Sequence, residues 1–282
     1  MPAYETATLG DRTVHRIGFG AKRLGHDRAH AIALLRHAVD SGVDHIDTAD
    51  FYPTHAGAEH REHDSTALGW ANEAIREALA PYPDELVIAT KVGPTAAGLA
   101  RPDQLRGLVE ADLRALGRDR LDVVYLRQYG LESVAEHFGV LADLRQAGLI
   151  RHLGLSNVRL PHLAQAETIA PVVAVQNRYG VDFGRVNDEM LDVCRARGIA
   201  FVPFFALAGT GRERGGVLAN DAVTAFAHAH GVSPAQVRIA WTLSRGPHVL
   251  AIPGTGSMAH LTENMRTGAL SGVEELGSGQ DG

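Results

Sequence analysis

Three residues with chemistry in them stand where apolar runs end. Asp47 closes His45-Ile46-Asp47, and Tyr52 follows five positions later, after the chain turns polar at Thr48-Ala49-Asp50-Phe51. Lys91 ends a second apolar run, Leu86-Val87-Ile88-Ala89-Thr90-Lys91. A free phenol titrates near ~10, too high to release its proton readily at neutral pH. An ammonium beside it favours the phenolate and lowers that value. A carboxylate paired with the ammonium holds it in position. An Asp, a Tyr and a Lys so placed read as a tuned proton donor, hence carbonyl chemistry. The competing reading of Asp47 and Lys91 is a plain buried ion pair.

Such a trio needs elements that bring distant strand ends together. Strand-like runs recur at Arg16–Ala21, Val43–Thr48, Leu86–Val92, Leu121–Leu126, His152–Leu155, Val172–Gln176, Ile199–Phe204 and Val249–Ile252. They are continuously apolar, as strands covered on both faces are. Helical patterns separate them at Arg28–Asp40, Ala71–Leu79, Pro102–Leu116, Val134–Ala147, Leu160–Ile169, Asp188–Ala196, Ala222–Ser244 (broken near Gly231-Val232-Ser233-Pro234) and Ala259–Arg266. About eight strand–helix units without a linker predict an α/β chain folded as one closed (β/α)8 TIM barrel over residues 1–282. A short N-terminal β-hairpin at 5–15 precedes it, and a flexible tail from about 271 to 282 follows it. The rival, a doubly wound open sheet, announces its nucleotide site with a glycine-rich turn after the first strand. Gly18-Phe19-Gly20-Ala21-Lys22-Arg23-Leu24-Gly25 lacks that full spacing.

A barrel gathers its reacting groups at the C-terminal strand ends. Those ends carry Asp47 to Tyr52, Lys91, Arg127-Gln128, Ser156-Asn157, Gln176-Asn177, Phe204-Phe205 and Pro253-Gly254-Thr255. Taken singly, each is a loop beginning. Together they make a mouth with an acid, a phenol, two cations and several amides.

Bulk properties exclude other classes. The chain has 282 residues, 45% hydrophobic and 21% charged, as soluble globular proteins do. A net charge of −6, with no basic run, argues against nucleic acid as the main partner. Cys194 is the sole cysteine, so it forms no intrachain disulfide and reads as a small buried hydrophobe. Met1-Pro2-Ala3-Tyr4-Glu5 has no basic leader, and no apolar run approaches the ~18 residues of a membrane span. A cytoplasmic protein is the expectation.

The motifs at the mouth resemble the aldo-keto reductase superfamily over nearly the whole chain. The carriers are Asp47-x4-Tyr52, Lys91, Gly154-Leu155-Ser156-Asn157, Gln176-Asn177-x-Tyr179 and Ile252-Pro253-Gly254-Thr255. His45–Tyr52, Phe201-Val202-Pro203-Phe204-Phe205 and His260-Leu261-x-Glu263-Asn264-Met265 are most similar to a bacterial branch that includes pyridoxal reductases. The resemblance implies hydride transfer between a nicotinamide cofactor and a carbonyl or alcohol, with Tyr52 as general acid, Lys91 lowering its pKa and Asp47 holding Lys91. The family's usual histidine at the end of strand four is here Arg127, as in the pyridoxal-reductase-like branch. Arginine is always charged and offers a fork of donors. It polarises and orients a substrate oxygen without relaying a proton. The alternative for Arg127 is a rim salt bridge.

By the same resemblance, Ser156, Asn157 and Gln176 bind the nicotinamide carboxamide, and Phe204 stacks on the ring. Gly209, Gly211 and Arg212-Glu213-Arg214 form a loop near the pyrophosphate. Gly254, Thr255 and His260 sit where relatives that favour NADP often place a Lys or Arg, and Asn264 reaches the adenine. NADPH is the expected cofactor, with NADH left open by the missing fixed cation. The expected partner is a small carbonyl compound such as pyridoxal, or a larger natural-product carbonyl at an open mouth. The segment 53–70 reads as an enlarged, charged loop at the mouth rather than a metal site, because His55, His60, His63, Glu59 and Asp64 lack zinc spacing. Trp70 is a pocket wall or a helix-start staple. Two other functions remain: a cofactor-binding regulatory subunit with little turnover, and a non-redox enzyme on the same scaffold.

Overall fold

The structure, a computed structural model, describes residues 5–25, 27–52, 70–183, 185–204, 207 and 220–277. The chain starts with the expected hairpin, β1 (Thr6–Leu9) and β2 (Arg12–His15), paired antiparallel around Gly10-Asp11. Leu9 and Val14 point from it into the lower end of the barrel. Asp11 at its tip accepts from His152 Nε2 at 2.7 Å and ties the hairpin to the barrel wall.

The wall is made of β3 (Phe19–Gly20), β4 (His45–Asp47), β5 (Val87–Val92), and, after a small hairpin of β6 (Pro94–Thr95) and β7 (Gly98–Leu99), β8 (Leu121–Arg127), β9 (Ile150–Ser156), β10 (Val172–Gln176) and β11 (Ala200–Phe201). Seven of these strands run parallel in the order β11-β10-β9-β8-β5-β4-β3. The segment 249–251 closes the ring. Leu250 N donates to Phe201 O at 2.9 Å, and Ala251 N donates to Arg16 O at 2.8 Å. Outside lie α1 (Arg28–Asp40), α2 (Ala71–Leu79), α3 (Leu105–Leu116), α4 (Ala135–Gln146), α5 (Leu160–Glu167), α6 (Asp188–Arg197), α7 (Asp221–His230), α8 (Pro234–Ser244) and α9 (Met258–Met265). The break read within Ala222–Ser244 separates α7 from α8. Gly231 there takes φ +64°, and Ser233 caps α8 by accepting from Gln236 N at 3.2 Å.

Strand periodicity of two sorts the apolar residues into two cores. Val87, Ala89, Val123, Tyr125, Ala174, Ala200, Val202 and Leu250 fill the barrel interior. Their neighbours Ile46, Ile88, Val124, Leu153, Leu155, Val175 and Phe201 pack outward against the helices. The same alternation carries Lys91, Arg127 and Gln176 onto the inward face, one step above Ala89, Tyr125 and Ala174. Gly154 makes room for the largest interior ring. A Cβ there would lie 2.5 Å from Tyr125 Cδ1 and 2.9 Å from the Ala174 carbonyl oxygen. Gly154→Ala is expected to lower unfolding free energy by ~1–3 kcal/mol in a urea titration, because neither neighbour can withdraw.

Some strands are shorter than their apolar runs. Ile199–Phe204 forms only β11 plus a bridge at Phe204, because Pro203 has no N–H to give the ladder. The β6–β7 hairpin has no counterpart in the sequence reading. In the expected tail, residues 273–275 form a 3-10 turn, Val273 is buried, and Trp241 Nε1 donates to Leu276 O at 2.8 Å. Cys194 is buried in α6, and burial pushes its thiol up to about 12, so it is unreactive.

Candidate active site

The C-terminal ends of β4 and β5 bring Asp47 and Lys91 together inside the wall, 3% and 4% exposed. Lys91 Nζ donates to Asp47 Oδ1 at 2.6 Å, to Tyr52 OH at 2.7 Å and to the Thr48 carbonyl at 3.0 Å. An ammonium has three N–H groups, and each has an acceptor. Tyr52 OH donates in turn to Asp47 Oδ1 at 3.2 Å, so the phenol carries its proton. The other carboxylate oxygen, Asp47 Oδ2, accepts from Gln176 Nε2 at 2.7 Å.

The electrostatics reverse one expectation. Tyr52 does not have a lowered pKa; it is raised well above the ordinary phenol value. Burial is the main cause, and the Asp47 charge adds to it, while Arg127 opposes them. Lys91 lies as close as expected, but Asp47 sits against both groups. Burial also lowers the pKa of Lys91 itself, against the pull of Asp47, with Arg127 and Lys22 adding to the fall. In this resting arrangement Tyr52 is a neutral phenol held by one donor and one acceptor.

Arg127 ends β8, where its NH1 donates to Ser156 Oγ at 3.2 Å and its guanidinium lies 4.8 Å from the centre of the Phe204 ring. It therefore sits inside the mouth, tied to two of the expected cofactor residues. Asn157 follows Ser156 with φ +61°, a conformation that asparagine tolerates better than most residues. Gln128 fixes it there. The Asn157 carbonyl accepts from Gln128 Nε2, and Asn157 Nδ2 donates to Gln128 O at 3.2 Å. Asn157 N also donates to Gln176 O at 3.0 Å, which locks the ends of β9 and β10 together. Thus Asp47, Tyr52, Lys91, Arg127, Ser156, Asn157, Gln176 and Phe204 form one connected group.

A second group gathers at the start of α9. Ser257 caps this helix by accepting from His260 N at 3.4 Å, and Thr255 Oγ1 accepts from Ser257 N at 3.0 Å. His260 is exposed in the first turn. Gly254 packs so closely on β3 that a Cβ would lie 2.7 Å from the Gly20 carbonyl oxygen. Asn264 is 2% exposed, and its side chain has no hydrogen-bond partner among the described residues. Gly209, Arg212 and the histidines of 53–69 lie outside the described residues. Trp70 stands at the N-terminal end of α2 and packs on the helix-side core with the Arg28 guanidinium 5.9 Å from its ring centre, which fits a helix-start role. Among the described residues no cluster could hold a metal ion, and no helix is long and apolar enough to cross a membrane.

Sequence reasoning placed Thr48 and Gln128 at the mouth but missed what they do, and it gave Lys22 no role. Thr48 acts through its carbonyl, which no side-chain motif announces. Gln128 acts as a brace for Asn157. Lys22, with Nζ 6.0 Å from the centre of the Tyr52 ring, was visible only as a cation just after the first strand.

Known proteins carry the same arrangement of elements. A model of the aldo/keto reductase family matches residues 16–273. Pyridoxine 4-dehydrogenase of Escherichia coli K12 is 40% identical over 298 aligned positions, spanning 98% of this chain and 97% of that protein. An uncharacterized oxidoreductase of Schizosaccharomyces pombe is 34% identical over 286 positions, spanning 96% and 87%. Among solved structures, an aldo-keto reductase from Klebsiella pneumoniae in complex with NADPH superposes with a TM-score of 0.78 at 26% identity, covering 97% of this chain and 93% of that one. The first of these likenesses agrees with the pyridoxal-reductase-like branch read from the motifs. The chain belongs to the aldo/keto reductase family of oxidoreductases.

Proposed function

We propose that this protein reduces a small aldehyde or ketone with NADPH, Tyr52 acting as general acid. The observation that carries the reading is the Lys91 ammonium bridging Asp47 at 2.6 Å and Tyr52 at 2.7 Å. A bound nicotinamide supplies the hydride. As negative charge grows on the substrate oxygen, that oxygen becomes a far stronger base than a phenolate. A raised phenol pKa is then no obstacle, because the proton still moves downhill from Tyr52. Lys91 stabilises the phenolate left behind, and Asp47 keeps Lys91 charged and in place. Arg127 directs its guanidinium at the substrate oxygen and helps to stabilise its charge. It does not relay the proton.

The residues present fit a nicotinamide dinucleotide. Ser156, Asn157 and Gln176 offer the hydroxyl and amide groups that a carboxamide needs. The Asn264 amide, buried and with no hydrogen-bond partner among the described residues, suits an adenine edge. NADPH is favoured over NADH because the similar Klebsiella pneumoniae reductase was solved with NADPH. For the substrate, the likeness to pyridoxine 4-dehydrogenase favours pyridoxal and related aromatic aldehydes.

The test follows cofactor absorbance on adding pyridoxal and a panel of aldehydes, with fluorescence titration of both cofactors. Carbonyl-dependent oxidation of NADPH is expected. Tight cofactor binding without turnover on any carbonyl would instead favour a regulatory subunit, and NADH binding as tightly as NADPH would overturn the cofactor choice. Arg127→His is expected to lower kcat by about tenfold or more and to introduce a new pH dependence near neutrality, since imidazole titrates there. An unchanged rate and pH profile would remove Arg127 from its role.

A further inference from the structure

A second set of polar groups lies behind Lys91, between the barrel wall and the helices. Asp112 stands on α3 and is 1% exposed. No cation lies within ion-pair distance of it among the described residues. Its oxygens accept from Asn72 Nδ2 and Thr90 Oγ1, both at 2.8 Å. Asn72, in the first turn of α2, accepts from Thr48 Oγ1 at 2.8 Å. Thr48 touches the Lys91 ammonium directly, its carbonyl taking one of the three N–H groups. Thr90 is joined to Lys91 only through the backbone, as its neighbour along β5. Two routes therefore run from Asp112 to the lysine: one through Thr90, the other through Asn72 and Thr48.

Packing alone does not call for a carboxylate here. Burial, with the charge of Asp50 adding to it, pushes Asp112 up to about 7, against the hydrogen bond from Thr90 and smaller help from Lys91 and Asn72. An unpaired buried carboxylate weakens the fold wherever it is ionised. An amide would fill the same space without that penalty.

We propose that Asp112 is a positioning residue for the reductase site, fixing the seat of Lys91 through Thr90 on one side and through Asn72 and Thr48 on the other. The proposal rests on the reductase reading for its effect on rate, but not for the coupling itself. Ionised Asp112 only accepts hydrogen bonds, which orients Thr90 and Asn72 as seen. Protonated Asp112 must donate one, so a link in the circuit has to reverse. The charged groups acting on Asp112 are Asp50, from the turn after β4, and Lys91, from β5; α2 presents the neutral Asn72. The seat of Lys91 is therefore set by a group that titrates near neutrality, and kcat falls as pH drops through that range.

The experiment uses the full chain with Asp112→Asn and Thr90→Val. Wild-type kcat is expected to lose activity below an apparent pKa of about 7. Asp112→Asn should abolish that limb and lower kcat at pH 8 by about three- to tenfold, with cofactor affinity unchanged. Thr90→Val, which removes a hydrogen bond from the carboxylate, should move the limb to higher pH. The stability readout has an unusual sign. The folded pKa lies above the unfolded one, so ionised Asp112 destabilises the fold increasingly as pH rises from about 4 through about 7. Asp112→Asn should therefore raise Tm at pH 8, by an amount that shrinks toward pH 5. A third measurement needs no turnover: the Lys91 15Nζ resonance should shift in step with the Asp112 13C carboxyl titration. A Lys91 signal that ignores this titration, or an Asp112→Asn pH profile and kcat identical to wild type, overturns the proposal. Absence of carbonyl reduction by the wild type, with the two resonances still moving together, overturns the reductase reading and leaves the coupling standing.

Discussion

Tyr52→Phe is expected to lower kcat for aldehyde reduction by about a hundred- to ten-thousandfold, the range over which a positioned general acid contributes. The substitution keeps the ring and removes only the hydroxyl that accepts from Lys91 at 2.7 Å and donates to Asp47 at 3.2 Å. Phenylalanine leaves no other protic group in that place, and Arg127 cannot give up a proton. Cofactor affinity should stay within about twofold, because none of the expected cofactor contacts is made by the Tyr52 hydroxyl. The check is single-turnover kinetics with saturating cofactor, together with a fluorescence titration. Retention of more than about a fifth of wild-type kcat would remove Tyr52 from the acid role.

Lys91→Met carries the second large effect, on stability as well as rate. Asp47 would remain 3% exposed, with Tyr52 and Gln176 as donors but no cation. Removing one partner of a buried pair costs about 3–5 kcal/mol, because the remaining charge is left uncompensated. In a chain this size that is a fall in Tm of roughly 10 °C. Adding Asp47→Asn to Lys91→Met should restore most of this stability, since it removes the naked charge. It should restore none of the activity, since the ammonium that donates to the Tyr52 hydroxyl at 2.7 Å is gone. A double-mutant cycle by chemical denaturation measures this directly. If Lys91→Met alone were neutral for stability, the pair would be better solvated than its burial implies.

The barrel was legible because its strands are short, continuously apolar runs separated by helical patterns. The grouping of Asp47, Lys91, Arg127, Ser156 and Gln176 was legible because each stands at the C-terminal end of an apolar run, and barrel strands bring those ends to one mouth. The sign of the Tyr52 shift was not. It depends on burial and on Asp47 sharing one oxygen between Lys91 and Tyr52, and neither appears in a motif. The bond from Gln176 to Asp47 was hidden for the same reason, since it joins β10 to β4 across the interior. Asp112 did leave a signal. Leu105, Val109, Asp112, Leu113 and Leu116 share the buried stripe of α3, so a carboxylate occupies a core position of an amphipathic helix. Asn72 likewise falls among the buried residues of α2. A charged or amide side chain on an apolar stripe marks a buried partner, even where the partner's identity needs the fold.

The central claim is that Tyr52 and its neighbours serve a hydride transfer to a carbonyl. Its most direct test is the fate of deuterium from NADPH labelled at the transferable C4 position, incubated with pyridoxal or another aldehyde that the wild type consumes. The expected result is an alcohol carrying deuterium on the former carbonyl carbon, formed in step with cofactor oxidation and lost in Tyr52→Phe. Product formed without deuterium, with the cofactor unoxidised, would contradict the claim and identify a non-redox enzyme on this scaffold.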